Sequence, residues 1–333
     1  MPPMSTPTPH VLVTGATGFL GSRVVARLAA HGVRITAADA RPDPEVEARL
    51  RTECGSQAPL TFVRLDVSDE PAVMRLLGGS PPITHCIHLA YLMNPDVEKD
   101  QRRGAMVNIY GMAVMFEAAA VHGLHRLVFA SSETYYGARQ DVFGPPDHAI
   151  KEDEGCAPGH HHFTYGVMKV LNEFVGQRYV RDRGVDIACV RPPVVFGHGR
   201  KRSSVLWSEH FASRPAVGEP VIMPFPAATR DCWIYKDDCA EQMVLLVLKD
   251  KISHFAYNTG GESVSGRVLA GTVRQWLPDA RIEFEEDKPP TPLVDNICGE
   301  RLAAEIGFRP RPLAEGVRAH INEARAEAGL PPV

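Results

Sequence analysis

The stretch Thr14-Gly15-Ala16-Thr17-Gly18-Phe19-Leu20-Gly21 decides how the rest of the chain is read. Before it, Val11–Thr14 is a short apolar run that halts at glycine, as a buried parallel strand does. After it, Phe19–Ala30 sets Leu20, Val24, Val25 and Leu28 on one helical face. Strand, glycine turn and helix in that order make a seat for a dinucleotide. Gly15 permits the tight turn, Gly18 lets the backbone approach a pyrophosphate, and Gly21 lets the helix pack close to the strand. Thr17, Phe19 and Leu20 complete the turn, where the helix N-terminus offers unpaired N–H groups and the positive end of its dipole to phosphates. The spacing is G-x-x-G-x-x-G rather than G-x-G-x-x-G, and a glycine triplet alone is weak evidence.

Context strengthens it. A second strand, Val33–Ala38, leads to Asp39, whose carboxylate can accept hydrogen bonds from the adenosine ribose hydroxyls. That favours NAD over NADP, while Arg41 close by offers a 2′-phosphate the competing contact. Further strands are expected at Leu60–Leu65, Ile83–Leu89, Leu127–Ala130 and Ile187–Val190, with long helices at Val97–Val121 and Tyr165–Arg183. Asp66-Val67, after the third strand, is a candidate adenine contact. The alternation implies an α/β fold, a Rossmann-type doubly wound parallel sheet with right-handed crossovers. Past Val194, Pro and Gly become frequent, which implies a smaller irregular C-terminal substrate-binding lobe. The expected division is a flexible tail over 1–9, an NAD-binding domain over 10–195 and a mainly substrate-binding lobe over 196–333. The chain is free to cross between the lobes.

Composition removes several other classes. Across 333 residues, 36 basic and 40 acidic side chains give no electrostatic reason to expect nucleic acid. With 44% hydrophobic residues and a net charge of -4 the chain is not disordered. A membrane helix needs about 20 apolar residues in a row, and runs such as Met243–Leu248 are far shorter. Met1–Pro9 has neither the basic start nor the apolar stretch of a signal peptide. The cysteines, Cys54, Cys86, Cys156, Cys189, Cys232, Cys239 and Cys298, are scattered and form no C-x-x-C pair, which suits reduced thiols in the cytoplasm and no structural zinc. His160-His161-His162 reads as a polar loop at the pocket mouth, since consecutive side chains diverge and nothing completes a metal set. Asp238 and Glu241 have capping-box spacing ahead of Met243–Leu248. Tyr91, Met93, Trp207, Met223, Phe225 and Trp233 fall in segments expected near one cavity.

Chemistry enters with Tyr165 and Lys169, which share a helix face at i and i+4. A phenol with a pKa near 10 is a poor base at neutral pH unless a cation stabilises the phenolate. Lys169 can supply that charge and also hydrogen-bond the nicotinamide ribose. Ser132, just past a strand at the carboxyl edge of the sheet, can polarise the same carbonyl or alcohol.

Taken with His88-Leu89-Ala90, Asn108, Ser131–Gly137, Arg191–Gly197 and Arg230–Asp238, the ordered set resembles the extended short-chain dehydrogenase/reductase family, the NAD-dependent epimerase/dehydratase group. The resemblance spans roughly residues 10–325 and implies Ser132 against the reacting oxygen, Tyr165 as acid/base and Lys169 as its partner. It implies further cofactor contacts at Leu89, Ala90, Asn108, Pro192 and Val194, and a homodimer built on the two long helices. Dehydratases of the group carry Asp-Glu after the catalytic hydroxyl, where this chain has Glu133-Thr134, so sugar dehydration is disfavoured and Thr134 resembles the epimerase arrangement. Arg191-Pro192-Pro193 stands where many nucleotide-sugar members carry Asn. Arg230 aligns with an arginine that holds a diphosphate, and Arg200-Lys201-Arg202 adds positive charge nearby. Glu133, Thr134, Arg200 and Arg230 are therefore the expected substrate contacts, for a small anionic molecule or a nucleotide sugar. The expected activity is hydride transfer between nicotinamide and a secondary alcohol or carbonyl of a sugar-like substrate. An NAD-dependent nucleotide-sugar epimerase is the alternative. A non-catalytic dinucleotide sensor would be expected to lack Tyr165 or Lys169.

Overall fold

The computed structural model describes residues 8–56, 58–137, 140–155 and 158–333. The first seven positions of the expected tail, and Cys156, lie outside them. Twelve strands run in chain order among the described residues: β1 His10–Thr14, β2 Arg34–Asp39, β3 Leu60–Arg64, β4 His85–His88, β5 Arg126–Ala130, β6 Ile187–Arg191, β7 Val194–Phe196, β8 Val221–Met223, β9 Arg230–Tyr235, β10 Ala256–Asn258, β11 Glu262–Ser265 and β12 Ile282–Phe284. Seven of them form one parallel sheet in the order β10-β6-β5-β4-β1-β2-β3. The strand order reverses at β1, with Thr14 in register with Ala38 on one side and His88 on the other. A doubly wound sheet binds ligands outside the carboxyl ends of its strands at such a switch point. The glycine turn, the end of β2 and the end of β4 all meet there.

Helices cover both faces. Phe19–Ala30 buries Val24, Val25, Leu28 and Ala29 in one core with Val11, Val13 and Ile35. The late helix Lys236–Leu248 adds Met243, Val244 and Val247 to that core, and Asp237 on it pairs with Arg23 at 2.6 Å. On the opposite face Met112, Met115 and Phe116 pack against Cys86, Leu127 and Phe129, the two phenylalanine rings edge to face at 5.4 Å. Each fully buried side chain of this size contributes about 1.5–3 kcal/mol. A further core, with Phe196, Trp207, Phe211, Phe225, Trp233 and Ile321, lies under the small sheets β11-β9-β7 and β12-β8. The chain crosses between these bodies more than once: β7 belongs to the small sheet and β10 returns to the large one.

Three expectations need correction. The helix placed at Val97–Val121 is a single turn, Asp96–Lys99, followed by a separate helix Gln101–His122, because Asp100 caps the second one by accepting from Arg103 N at 3.0 Å. That 22-residue helix is long and apolar enough to cross a membrane, although no unbroken apolar run announces it, and it buries Met112, Met115, Phe116, Ala118 and Ala119. Asp238 is not an N-cap: β9 runs straight into a helix that starts at Lys236, so Asp238 lies in its first turn and pairs with Arg311 at 2.8 Å.

Candidate active site

The turn after β1 has no room for side chains. Gly15 adopts φ +69°, and a Cβ there would stand 2.9 Å from Ala90 N. A Cβ on Gly21 would stand 2.0 Å from Gly15 O. Gly18 N donates to Gly15 O at 3.0 Å, and the helix that follows has no side-chain cap and no acidic residue in its first turn. The N–H groups at Phe19, Leu20 and Gly21 thus form an anion seat. Asp39 closes the turn from the side, accepting from Thr17 Oγ1 at 2.9 Å, Thr17 N at 3.2 Å and Arg41 N at 3.0 Å. From the other side, Thr14 Oγ1 accepts from Leu89 N and Ala90 N at 3.1 and 3.2 Å. Asp66 is exposed, accepts from Ser68, and shares an open cavity of about 310 Å³ with Asp100, Arg102 and Met106, while Val67 is buried against Gly111. This cradle, which a Cβ would fill, fits a dinucleotide.

At the carboxyl ends of β5 and β6 stand the reactive groups. Ser132 opens a short turn and accepts from Thr134 N at 3.1 Å, and its hydroxyl lies beside that of Tyr165. Burial holds the Tyr165 phenol above its ordinary range, opposed by the charge of Arg200 and by Ser132. Lys169 Nζ donates to Ala130 O at 2.6 Å, and burial lowers its pKa to about 7 against the pull of Glu173. Pro192 O accepts from Glu133 N at 3.0 Å, and Val194 is buried beside it in β7.

Asn108, an expected cofactor contact, holds the loop after β4. Its Oδ1 accepts from Leu92 N at 2.8 Å and its Nδ2 donates to Leu92 O at 3.0 Å, so the buried amide fixes that loop. What it positions is Tyr91, a residue the sequence pattern placed only near a cavity. The Tyr91 ring lies 3.3 Å from Lys169 Nζ and meets the Tyr165 ring edge to face at 5.4 Å, and its hydroxyl accepts from Asn172 Nδ2 at 3.2 Å. Glu173, one turn beyond Lys169, was also missed. It is buried, pairs with Arg191 at 2.6 Å and accepts from Ser131 Oγ. Arg191 in turn stacks 3.5 Å over the Tyr135 ring and donates to Tyr136 Oη at 2.7 Å. The i+4 spacing of Lys169 and Glu173 was the one available signal.

Of the expected substrate contacts, Glu133 is buried with Oε2 unpartnered. Burial, and then Asp231, push its carboxyl well above the carboxylate range. Thr134 Oγ1 is unpartnered too, and Thr134 lines a small cavity with His161, His162, Phe163, Gly166 and Pro292. Arg230 donates to Ser263 O at 3.0 Å and keeps a buried, unpartnered Nε. Asp231 beside it is pushed up to about 7 by burial while accepting from Thr291 Oγ1 at 2.6 Å. Arg200 sits apart from these, against Phe19.

Comparison with known proteins agrees with this geometry. The profile of the NAD dependent epimerase/dehydratase family matches residues 11–260. A dTDP-glucose 4,6-dehydratase of Streptomyces griseus is 24% identical over 94% of this chain and 93% of its own length. A dTDP-4-dehydro-6-deoxy-D-allose reductase of a Streptomyces species is 26% identical over 92% and 93%. Among solved structures, the UDP-glucose 4-epimerase of Thermus thermophilus in complex with NAD superposes with a TM-score of 0.78 at 25% identity, over 95% of this chain and 99% of that one.

Proposed function

The chain belongs to the NAD-dependent epimerase/dehydratase family and takes NAD as cofactor, and from that premise we propose a hydride-transfer enzyme acting on a secondary alcohol or carbonyl of a sugar-like substrate. The observation that carries this reading is the convergence of Ser132, Tyr165 and Lys169 beside the glycine turn. Gly15, Thr17, Gly18, Phe19, Leu20 and Gly21 hold the diphosphate, Asp39 the adenosine ribose, and Asp66 and Val67 the adenine. Leu89 and Ala90 line the middle of the cofactor, and Pro192 and Val194 its nicotinamide end. NAD bound there supplies the hydride acceptor.

Tyr165 removes the proton of the substrate hydroxyl, Lys169 stabilises the phenolate that does so, and Ser132 fixes the oxygen by a hydrogen bond. Glu133, Thr134 and Arg230 lie on the substrate side. The unpartnered Arg230 Nε suits a phosphate of a nucleotide sugar, and the related UDP-glucose 4-epimerase of Thermotoga maritima has been solved with UDP-glucose. An epimerase uses the same first half-reaction and returns the hydride to the other face of the ketone. Thr134 in place of an acid favours that second reading over dehydration.

Exposed Met106, Tyr110, Val121, Val167, Leu171, Phe174 and Val180, all on the helices Gln101–His122 and Thr164–Arg183, support a homodimer through those helices. The six described cysteines are all free thiols, in keeping with the cytoplasm.

Tyr165→Phe tests the chemistry. Turnover is expected to fall by about 10²–10⁴-fold, the usual contribution of a positioned acid/base, while NADH binding followed by fluorescence stays within a few-fold of the parent. Undiminished turnover sinks the mechanism. With a panel of nucleotide sugars, stoichiometric NADH appearance supports a dehydrogenase, and isomerised product with the cofactor unchanged supports an epimerase.

A further inference from the structure

We propose that Arg200 binds the diphosphate of the dinucleotide, completing from the strap after β7 the seat that the glycine turn offers from below. The inference rests on the reading of that turn as the NAD site.

Three observations carry it. First, the Arg200 guanidinium lies 4.2 Å over the ring of Phe19, the first residue of the uncapped helix whose N–H groups form the anion seat. Second, its charge lacks a counter-ion. Nη2 donates to Val195 O at 2.7 Å and Nε is buried without a partner, and among the described residues no carboxylate forms an ion pair with it. Of the ionisable groups that face it, burial keeps the Tyr165 phenol and the Cys239 thiol protonated and neutral, and the Glu209 carboxylate is already held by His198 at 3.2 Å. Burial outweighs them and lowers the guanidinium pKa to about 10. Breaking a buried ion pair is costly because it strands a charge, and a guanidinium has five donors in a fork that matches a phosphate. An anion on the turn supplies what the protein leaves out.

Third, the strap is tied to the rim of the turn. Lys201 Nζ reaches Asp43 at 3.2 Å, and Asp43 N donates to Thr17 Oγ1 at 3.3 Å. The chain from Val195 to Lys201 therefore arches past Phe19 to the rim that holds Asp39. Lys236, the other cation near Phe19, has its Nζ committed to His198 O and Glu323, both at 2.8 Å. Of these two cations at the Phe19 ring, Arg200 is the one that keeps an unpartnered donor.

The experiment compares the full chain with Arg200→Gln and Arg200→Lys, using calorimetry for NADH and ADP-ribose and ligand-observed NMR for adenosine, which has no diphosphate. Arg200→Gln is expected to weaken NADH and ADP-ribose by about 10- to 100-fold, the range of a charge-assisted hydrogen-bond pair, and to leave adenosine unchanged. Arg200→Lys is expected to recover part of the loss. Unchanged NADH affinity in Arg200→Gln overturns the proposal, including the case where only a substrate's KM rises. Equal losses for adenosine and ADP-ribose overturn it as well, since the effect would then not follow the diphosphate. If the parent binds neither NADH nor ADP-ribose, the cofactor reading falls, and this proposal with it.

Discussion

Lys169 Nζ has given up water for Ala130 O, the face of the Tyr91 ring and the nearby Glu173 carboxylate. Tyr165 on the same helix, Cys189 on β6 and His88 at the end of β4 also share its surroundings. Desolvation wins over the attractions, so its pKa falls to about 7 and the ammonium is poised at neutral pH. A cation–π contact is worth roughly 0.5–2 kcal/mol, and one pKa unit about 1.4 kcal/mol. The ring favours the charged form, so removing it moves the midpoint down. Tyr91→Leu should therefore lower the Lys169 midpoint by about one unit, leaving less ammonium beside Tyr165 at pH 7. Tyr91→Phe, which keeps the ring, should leave it nearly in place. An NMR titration of isotope-labelled lysine reads both without any substrate, and an unmoved midpoint in Tyr91→Leu refutes the effect. Tyr165 and Lys169 were legible in sequence because their spacing is local to one helix, with Ser132 marked by its place after a strand. Tyr91, Glu173 and Arg191 were not. Their partners come from distant elements, and packing chooses among many chemically equal candidates.

At the scale of the element, the glycine turn is where sequence spoke most directly, since a Cβ at the wrong position has nowhere to go. Gly21→Ala would press its methyl against Gly15 O, 2.0 Å from the ideal position. Overpacking of this kind costs roughly 1–3 kcal/mol, with backbone as the obstacle here and no flexible side chain to yield. We expect a lower unfolding midpoint in denaturant together with weakened NADH binding. A variant with parental stability and affinity would show that the turn has slack. Strands of the large sheet were legible as apolar runs because parallel strands are buried on both faces. Element ends were less so. Asp100 and Tyr235 decide where two helices start, and those choices depend on the entry direction of the chain rather than on the residues alone.

For the molecule as a whole, the exposed apolar residues of the two long helices make a quantitative prediction. Phe174 is 61% exposed, on the same helix as Val167, Leu171 and Val180. Placing a charge there, Phe174→Glu, should halve the mass seen by sedimentation while leaving the fold, read by circular dichroism, intact. A parent that sediments as a monomer removes the dimer. That the chain could cross between the lobes was legible, but where it does so was not, because β10 is a three-residue strand whose place beside β6 depends on everything built before it. Lys201, tied to Asp43, fastens the segment after β7 to the rim of the glycine turn, with Arg200 folded back onto Val195 O. If Arg200 holds the cofactor diphosphate as proposed, a molecule seated on the turn leaves only once the strap lets go, so its residence time depends on the strap as well as on the turn. That time decides whether each catalytic cycle ends by handing the reduced cofactor to solvent or by keeping it for the return stroke.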